Sequence, residues 1–349
     1  MAINLASRYS SQIDAAYTHE SFVAGLAKGK FDFTGVKSVK IYSPITVPLN
    51  DYDRGASSNR FGTPQEMQDE VQELIVNQDK SFVLAIDAGN ASEQMGTKRA
   101  AERLRQQMRE QVVPAQDKHA IACYVKQAGA VVGLSSLTES NIVKALAAAQ
   151  AYMDNEMVPS DGRYCLMGAT NCALLADSGK VLYNQGIAGK AYAKGEVFEV
   201  CGFKVIKIPD SYLPDGAKFL CLHGDSVVNP HKVQHAKVNN DPDDIDGSLL
   251  TGRFIYDAFV LAKKCGGVYA GVDSAKKQAA PTISVSGTTA TITSEGASSI
   301  KVTTDGSDPR YSASAMTIST GGTVTVGASY TVKAVAYGTF TSDVAVKTK

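Results

Sequence analysis

The chain has 349 residues, of which 44% are apolar and 20% charged, and its 35 basic side chains balance 35 acidic ones. Length alone predicts about two to three domains. The composition excludes a disordered chain, and zero formal charge excludes a nucleic-acid or anionic-membrane binder held by bulk electrostatics. No run reaches the roughly 18 uninterrupted apolar residues that a spanning helix needs, and MAINLASRYSSQIDAAYTHE lacks the regions of a secretion signal. A chain folded in a cytoplasm, with no membrane partner, is expected. Its six cysteines, none in a C-x-x-C pair, read as reduced thiols buried as small hydrophobes.

Residues 1–35 are mildly amphipathic. VKSVKIYSPITVPL (36–49) reads as a strand that Pro44 and Pro48 restrict to an edge or an extended arm. A polar turn region, NDYDRGASSNRFGTP, precedes EVQELIV and KSFVLAI, which have the length and composition of two paired strands. Residues 43–95 thus form a polar extension with too few apolar side chains for a core of its own. It must lie on something else or stay unfolded.

The longest helix starts after Thr97, with Ala101, Leu104, Met108 and Val112 on one stripe. Pro114 lacks an N–H and clashes with the carbonyl of Glu110, so a kink or short break is expected there before the pattern resumes at Ile121 and Val125. A second helix begins at a Ser136 or Thr138 capping box and buries Ile142, Leu146, Ala149 and Met153. RYCLMG reads as a buried strand, TNCALLAD as a short helix capped by Thr170, and GEVFEVCGFKVIKI as two strands turning at Cys201-Gly202. AKFLCLHG is another strand. In TGRFIYDAFVLAKKCGGVYAGV the central part is compatible with strand or helix.

Composition changes near residue 275. From Pro281 to Lys349, 26 of 69 residues are Ser or Thr, and short alternating runs are separated by Gly and Ser turns. That is the pattern of a small β-sandwich, joined through GVDSAKKQAAP as a solvated linker.

Chemistry is hard to find. His223, His231 and His235 with Asp225 could ligate a metal, but Asn229-Pro230 argues against a helix that would align them. DPDDIDG (241–247) fails the calcium-loop spacing, because Ile245 stands at position 5 and Gly247 comes one place late. Cys123 and His119 share a helix face, which is more often packing than catalysis. Arg99, Arg103, Arg105 and Arg109 form a basic face that fits a phosphate, an acidic neighbouring subunit, or plain solvation. Nucleotide and hydrolase motifs are absent. The sequence therefore names no catalytic, cofactor-binding or metal residue and implies no cofactor.

The order of elements is more informative. REQVVPAQDKHAIACYVKQAG (109–129), RYCLMGATNCALLAD (163–177), GEVFEVCGFKVIKIPDSYLP (195–214) and GRFIYDAFVLAKKCGGVYAGV (252–272) together resemble the major capsid protein of tailed bacteriophages, with the Hong Kong 97-like fold. The resemblance implies an α+β fold over 1–271: an N-arm (1–42), an extended E-loop (43–95), a peripheral domain with a long spine helix (96–135 and 218–271), and an axial domain (136–217). A linker (272–281) and a small all-β unit (282–349) follow. SIKVTTDGSDPRYSASA in that unit is similar to a turn of the immunoglobulin-like domain of chitobiases and hexosaminidases.

What the resemblance implies for function is a structural protein, not an enzyme. It would assemble with itself as hexamers and pentamers into an icosahedral head enclosing double-stranded DNA without sequence preference. The head would form in the host cytoplasm, with a portal and, since Met1 leads almost directly into the arm, a separate scaffolding protein. The immunoglobulin-like unit would project outside, as plain decoration or for weak contact with glycans or the host surface through Tyr311, Tyr330, Tyr337 and Phe340. Two rivals are an encapsulin-type nanocompartment shell and a cytosolic enzyme with an accessory sandwich.

Overall fold

The computed structural model describes residues 21–27, 38–47, 49–55, 57–64, 66, 69–87, 100–178, 198–240 and 246–349. Most of the expected N-arm, the end of the extension (88–95), the helix cap at Thr97, Arg99 and the acidic run at 241–245 lie outside them. In chain order, β1 (Ser38–Pro44), β2 (Asp69–Ile75) and β3 (Gln78–Asp87) are followed by one long helix. That helix comprises α1 (Ala100–Gln107), a π-helical turn (Met108–Val112) and α2 (Val113–Lys126). Next come β4 (Ala130–Leu134), α3 (Ile142–Asn155), β5 (Arg163–Gly168), α4 (Ala169–Asp177), β6 (Phe198–Val200) and β7 (Phe203–Ile208). β8 (Ala217–His223), β9 (Val227–Val228), β10 (His231–Asn240), β11 (Gly247–Tyr256), β12 (Phe259–Val260) and β13 (Val268–Asp273) complete this part.

Six of these strands form one mixed sheet in the order β4-β13-β8-β5-β7-β6. Successive side chains of a strand point to opposite faces, so each strand here feeds two cores. Leu166, Leu220, Leu222, Ala270 and Val272 pack with Ile121, Tyr124 and Val125 of α2 and with Val23 and Leu26 of the N-terminal segment. Their neighbours Cys165, Met167, Phe219, Cys221 and Tyr269 pack with Ile142, Leu146, Ala149 and Met153 of α3. Burial on both faces is why RYCLMG and AKFLCLH are apolar without alternation. Of the six free cysteines, Cys165, Cys172 and Cys221 are buried as expected, whereas Cys123, Cys201 and Cys265 are only partly buried; burial pushes the Cys172 thiol up to about 12.

Several local expectations are corrected. EVQELIV and KSFVLAI are strands, but not partners: β2 pairs with β1, and β3 joins the edge of a β10-β11-β3 sheet. The two-residue link Val76–Asn77 is long enough for a hairpin, but Asn77 N–H is held by Asp257 Oδ2 and each strand takes a partner from elsewhere in the chain. The break at Pro114 takes the form of a widened π turn over residues 108–112, which leaves Pro114 in the first turn of α2, where a missing N–H goes unnoticed. The SLTE box is not made. Instead Asn141 Oδ1 accepts the Thr138 N–H at 2.8 Å, and the helix proper starts at Ile142. Thr170 is inside α4, not its cap; its hydroxyl donates to Asp210 Oδ2 at 2.6 Å. The turn at Cys201 and Gly202 is present, with φ of 49° and 70°, the pair of positive angles that a tight two-residue hairpin requires. The ambiguous closing stretch ends as β11, β12, a 3-10 segment (Ala262–Gly267) and β13.

The C-terminal unit is all β. Sheet β14 (Thr282–Ser286), β15 (Thr289–Thr293) and β18 (Gly322–Thr325) faces a second sheet in the order β17 (Met316–Ile318), β16 (Ser299–Thr303), β19 (Thr331–Tyr337) and β20 (Ala345–Thr348). Ile292, Ile300, Val302, Val332 and Ala334 form the core between them. The linker is only partly solvated: Ser274, Ala275, Ala279 and Ala280 are exposed, and the residues between them are half-buried. Lys276 and Lys277 make ion pairs with Asp215 and Asp343, and Ser274 N–H donates to Leu134 O.

This unit completes the end of α2. The last carbonyls of a helix have no intrahelical partner, and here three side chains of the C-terminal unit supply donors. Thr341 Oγ1 donates to Lys126 O at 2.7 Å, Tyr311 OH to Gln127 O at 2.6 Å, and Arg310 Nη1 to Ala128 O and Gly129 O at 2.8 and 2.7 Å. Asp308 holds the Arg310 guanidinium from the other side at 2.7 Å. Tyr311 and Phe340 sit in the same core cluster as α2. Two of the four aromatics considered for a sugar platform are therefore spent on docking.

Arg310→Ala is expected to leave the carbonyls of Ala128 and Gly129 without this donor, and Asp308 with only the backbone N–H of residue 310. We expect a loss of about 3–5 kcal/mol of docking stability, read as a separate low-temperature unfolding step and new proteolytic cleavage within 272–281.

Candidate functional site

β1 and β2 pair antiparallel from Ser38↔Ile75 to Pro44↔Asp69, leaving residues 45–47, 49–55, 57–64 and 66 as the described part of an arm's tip. The base of this arm is fixed to its own chain. Leu74 is 1% exposed and packs with Val76 and Phe259, against Val39, Ile41 and Ile255. Buried Gln72 spans two backbone groups: its Nε2 donates to Val260 O at 2.8 Å, and its Oε1 accepts the Ala262 N–H at 2.9 Å. Ala313 N–H of the C-terminal unit donates to Val71 O at 3.1 Å.

Among the described residues of the tip, large apolar side chains stand in solvent. Leu49 is 102% exposed, Phe61 84% and Val47 62%, and Phe61 has an edge-on contact with Tyr52 at 4.9 Å between ring centroids. Turn bonds such as Asp53 N–H to Arg60 O at 3.1 Å shape the tip locally. The expectation that the extension cannot bury itself therefore holds for the tip and fails for the base.

A second feature lies where the arm meets the long helix. Asp257, 6% exposed between β11 and β12, accepts the Asn77 N–H through Oδ2 at 3.0 Å and the Ala258 N–H through Oδ1 at 2.9 Å. His119 Nε2 lies 2.8 Å from the same Oδ1, and Cys123 Sγ lies 3.4 Å from that same nitrogen. The Asp257 hydrogen bond, aided by Cys123, raises the His119 pKa to about 9. These groups line a cleft of about 540 Å³ together with Gln72, Gln127, Arg310 and Tyr311.

This is not a nucleophilic triad. A catalytic histidine uses one ring nitrogen for the nucleophile and the other for the orienting acid, whereas Cys123 and Asp257 address a single nitrogen. The helix spacing foretold the His119–Cys123 pair. Asp257, far away in sequence and preceding an unremarkable Ala-Phe-Val, carried no signal.

The other candidate residues are dispersed. His223 is held at the end of β8, its Nε2 2.8 Å from Asp161 O and its Nδ1 accepting the Asp225 N–H at 3.3 Å. His231 and His235 belong to β10, in a different sheet. Arg103 bonds to Gln106, while Arg105 and Arg109 are exposed. Among the described residues, no helix is long and apolar enough to cross a membrane.

No protein-family model and no curated protein matches the chain. Solved structures do. The chain superposes on a chain of Mycobacterium phage Che8 with a TM-score of 0.63 at 17% identity, covering 77% of this chain and 98% of that one. The capsid structure of the cyanophage P-SCSP1u gives 0.63 at 15% identity, over 77% and 93%. The mature capsid of bacteriophage PhiM1 gives 0.61 at 13%, over 77% and 92%. The fold is a phage-capsid fold. The base of the arm is the part of this feature that the chain itself anchors, through Gln72 and Leu74.

Gln72→Leu tests that anchorage. It leaves Val260 O and Ala262 N–H unpaired at a cost of about 1–3 kcal/mol. Amide hydrogen exchange is expected to speed up over 69–76 while α3 stays protected.

Proposed function

We propose that the chain is the major capsid protein of a tailed phage, a structural protein and not an enzyme, which assembles with its own copies as hexamers and pentamers into an icosahedral head around double-stranded DNA. The observation that carries this reading is the arm, whose base is bolted to the body while Leu49, Phe61 and Val47 stand in solvent at its tip. Large apolar side chains gathered on a projecting tip serve association, and a repeated contact of modest strength accumulates over a closed shell.

In this reading residues 1–42 are the N-arm, 43–95 the E-loop, 96–135 and 218–271 the peripheral domain, and 136–217 the axial domain. A portal and a scaffolding protein are further partners, assembly takes place in the bacterial cytoplasm, and the mature protein resides in the virion. Residues 282–349 form an immunoglobulin-like unit facing outward. Burial of Tyr311 and Phe340 against the core favours a bracing role for that unit over a glycan platform.

Electron microscopy of the purified full-length protein tests the proposal. Uniform closed shells are expected, and dimers or tetramers with no larger species would overturn it. Nucleic acid rather than enzyme cargo inside shells from infected cells separates a phage head from a nanocompartment.

Leu49→Ser with Phe61→Ser gives a sharper test. Both side chains are exposed, so the unfolding free energy should stay within about 0.5 kcal/mol of the parent. Each buries about 1.5–3 kcal/mol of apolar surface on contact, so the protein concentration needed for shells should rise about 100-fold or more.

A further inference from the structure

We propose that His119, Cys123 and Asp257 form a binding site for a divalent transition metal of the zinc type, which locks the base of the arm onto the long helix. The inference does not depend on the capsid reading. It starts from convergence: His119 Nε2, Cys123 Sγ and Asp257 Oδ1 all lie within 4.8 Å of one another. The histidine and cysteine are one helical turn apart on α2, a spacing that puts both donors on one face. The carboxylate comes from the β11–β12 connection and is pre-oriented by the Asn77 and Ala258 N–H groups.

The feature that excludes a triad is the one that a metal needs. Sulfur and oxygen both face the same imidazole nitrogen, so the three donors aim at one point instead of forming a relay. Zinc bonds of about 2.0–2.3 Å in a tetrahedral site separate donor atoms by about 3.3–3.6 Å. The distances here are 3.4 Å for Cys123 Sγ to His119 Nε2, 3.9 Å for Cys123 Sγ to Asp257 Oδ1 and 2.8 Å for His119 Nε2 to Asp257 Oδ1. The last must open by about half an ångström, as the metal replaces the proton between the two groups, and the sulfur–oxygen pair must close by about 0.3 Å.

A mixed nitrogen, sulfur and oxygen set suits zinc or cobalt, and the thiolate disfavours calcium and magnesium. Three protein donors facing a cleft leave the fourth position to water or to a group entering from outside. Because Asp257 also holds Asn77, at the junction of β2 and β3, occupancy would couple the helix to the arm.

The test uses the full-length protein with Co²⁺ and Zn²⁺ as probes. The expected result is one metal per chain, a cobalt spectrum with tetrahedral ligand-field bands and a thiolate charge-transfer band, and protection of Cys123 from alkylation. Cys123→Ser should abolish the charge-transfer band, and His119→Ala should weaken binding about 100-fold or more, beyond the 10–100-fold typical of residues that only support a ligand. Cys265→Ser, at a different thiol, should change neither. A parent protein without the thiolate band, a band retained in folded Cys123→Ser, or a band lost in Cys265→Ser would overturn the assignment. The parent spectrum decides the matter even where a variant fails to fold.

Discussion

The arm can project only because its base cannot move. Two buried polar side chains, Gln72 and Asp257, do most of this work. Gln72 satisfies Val260 O and Ala262 N–H, and Asp257 satisfies Asn77 N–H and Ala258 N–H; leaving such groups bare in a buried setting is costly. With Leu74 and Val76 packed beneath them, the strand pair leaves the body in a set direction. Leu49, Phe61 and Val47 of the tip are left in solvent.

The C-terminal unit contributes to the same rigidity. Through Arg310, Tyr311 and Thr341 it takes over the unpaired carbonyls at the end of α2, and through Ala313 it reaches β2. A positive guanidinium beside a helix C-terminus is also electrostatically favourable. The long helix, the arm and the β-unit thus meet around one cleft, with His119, Cys123 and Asp257 on its wall. A domain that looks like an appended module in composition is, mechanically, a brace.

Likeness to phage capsid chains at 10–17% identity is consistent with how this fold is held. Its six-stranded sheet asks for apolar residues on both faces and its helices for one apolar stripe, demands that many sequences meet. About a quarter of the chain falls outside the matched share, a fraction of the size of the linker and C-terminal unit together.

Local chemistry determined much of this protein. The stripe Ile142, Leu146, Ala149, Met153, the apolar runs YCLMG and FLCL, the turn at Cys201-Gly202 and the compositional break before Pro281 each follow from periodicity, composition or backbone preference, and the structure keeps them. Pairing was decided elsewhere. Whether β2 faces β3 or β1, whether Lys276 and Lys277 are solvated or paired, and whether Tyr311 and Phe340 are exposed depend on contacts between residues far apart in the chain. The candidate metal site shows the division within one cluster. The His119–Cys123 spacing is a property of a helix and is visible in sequence. Asp257 joins them only because tertiary packing brings the β11–β12 connection against that helix, and no local pattern encodes such a meeting.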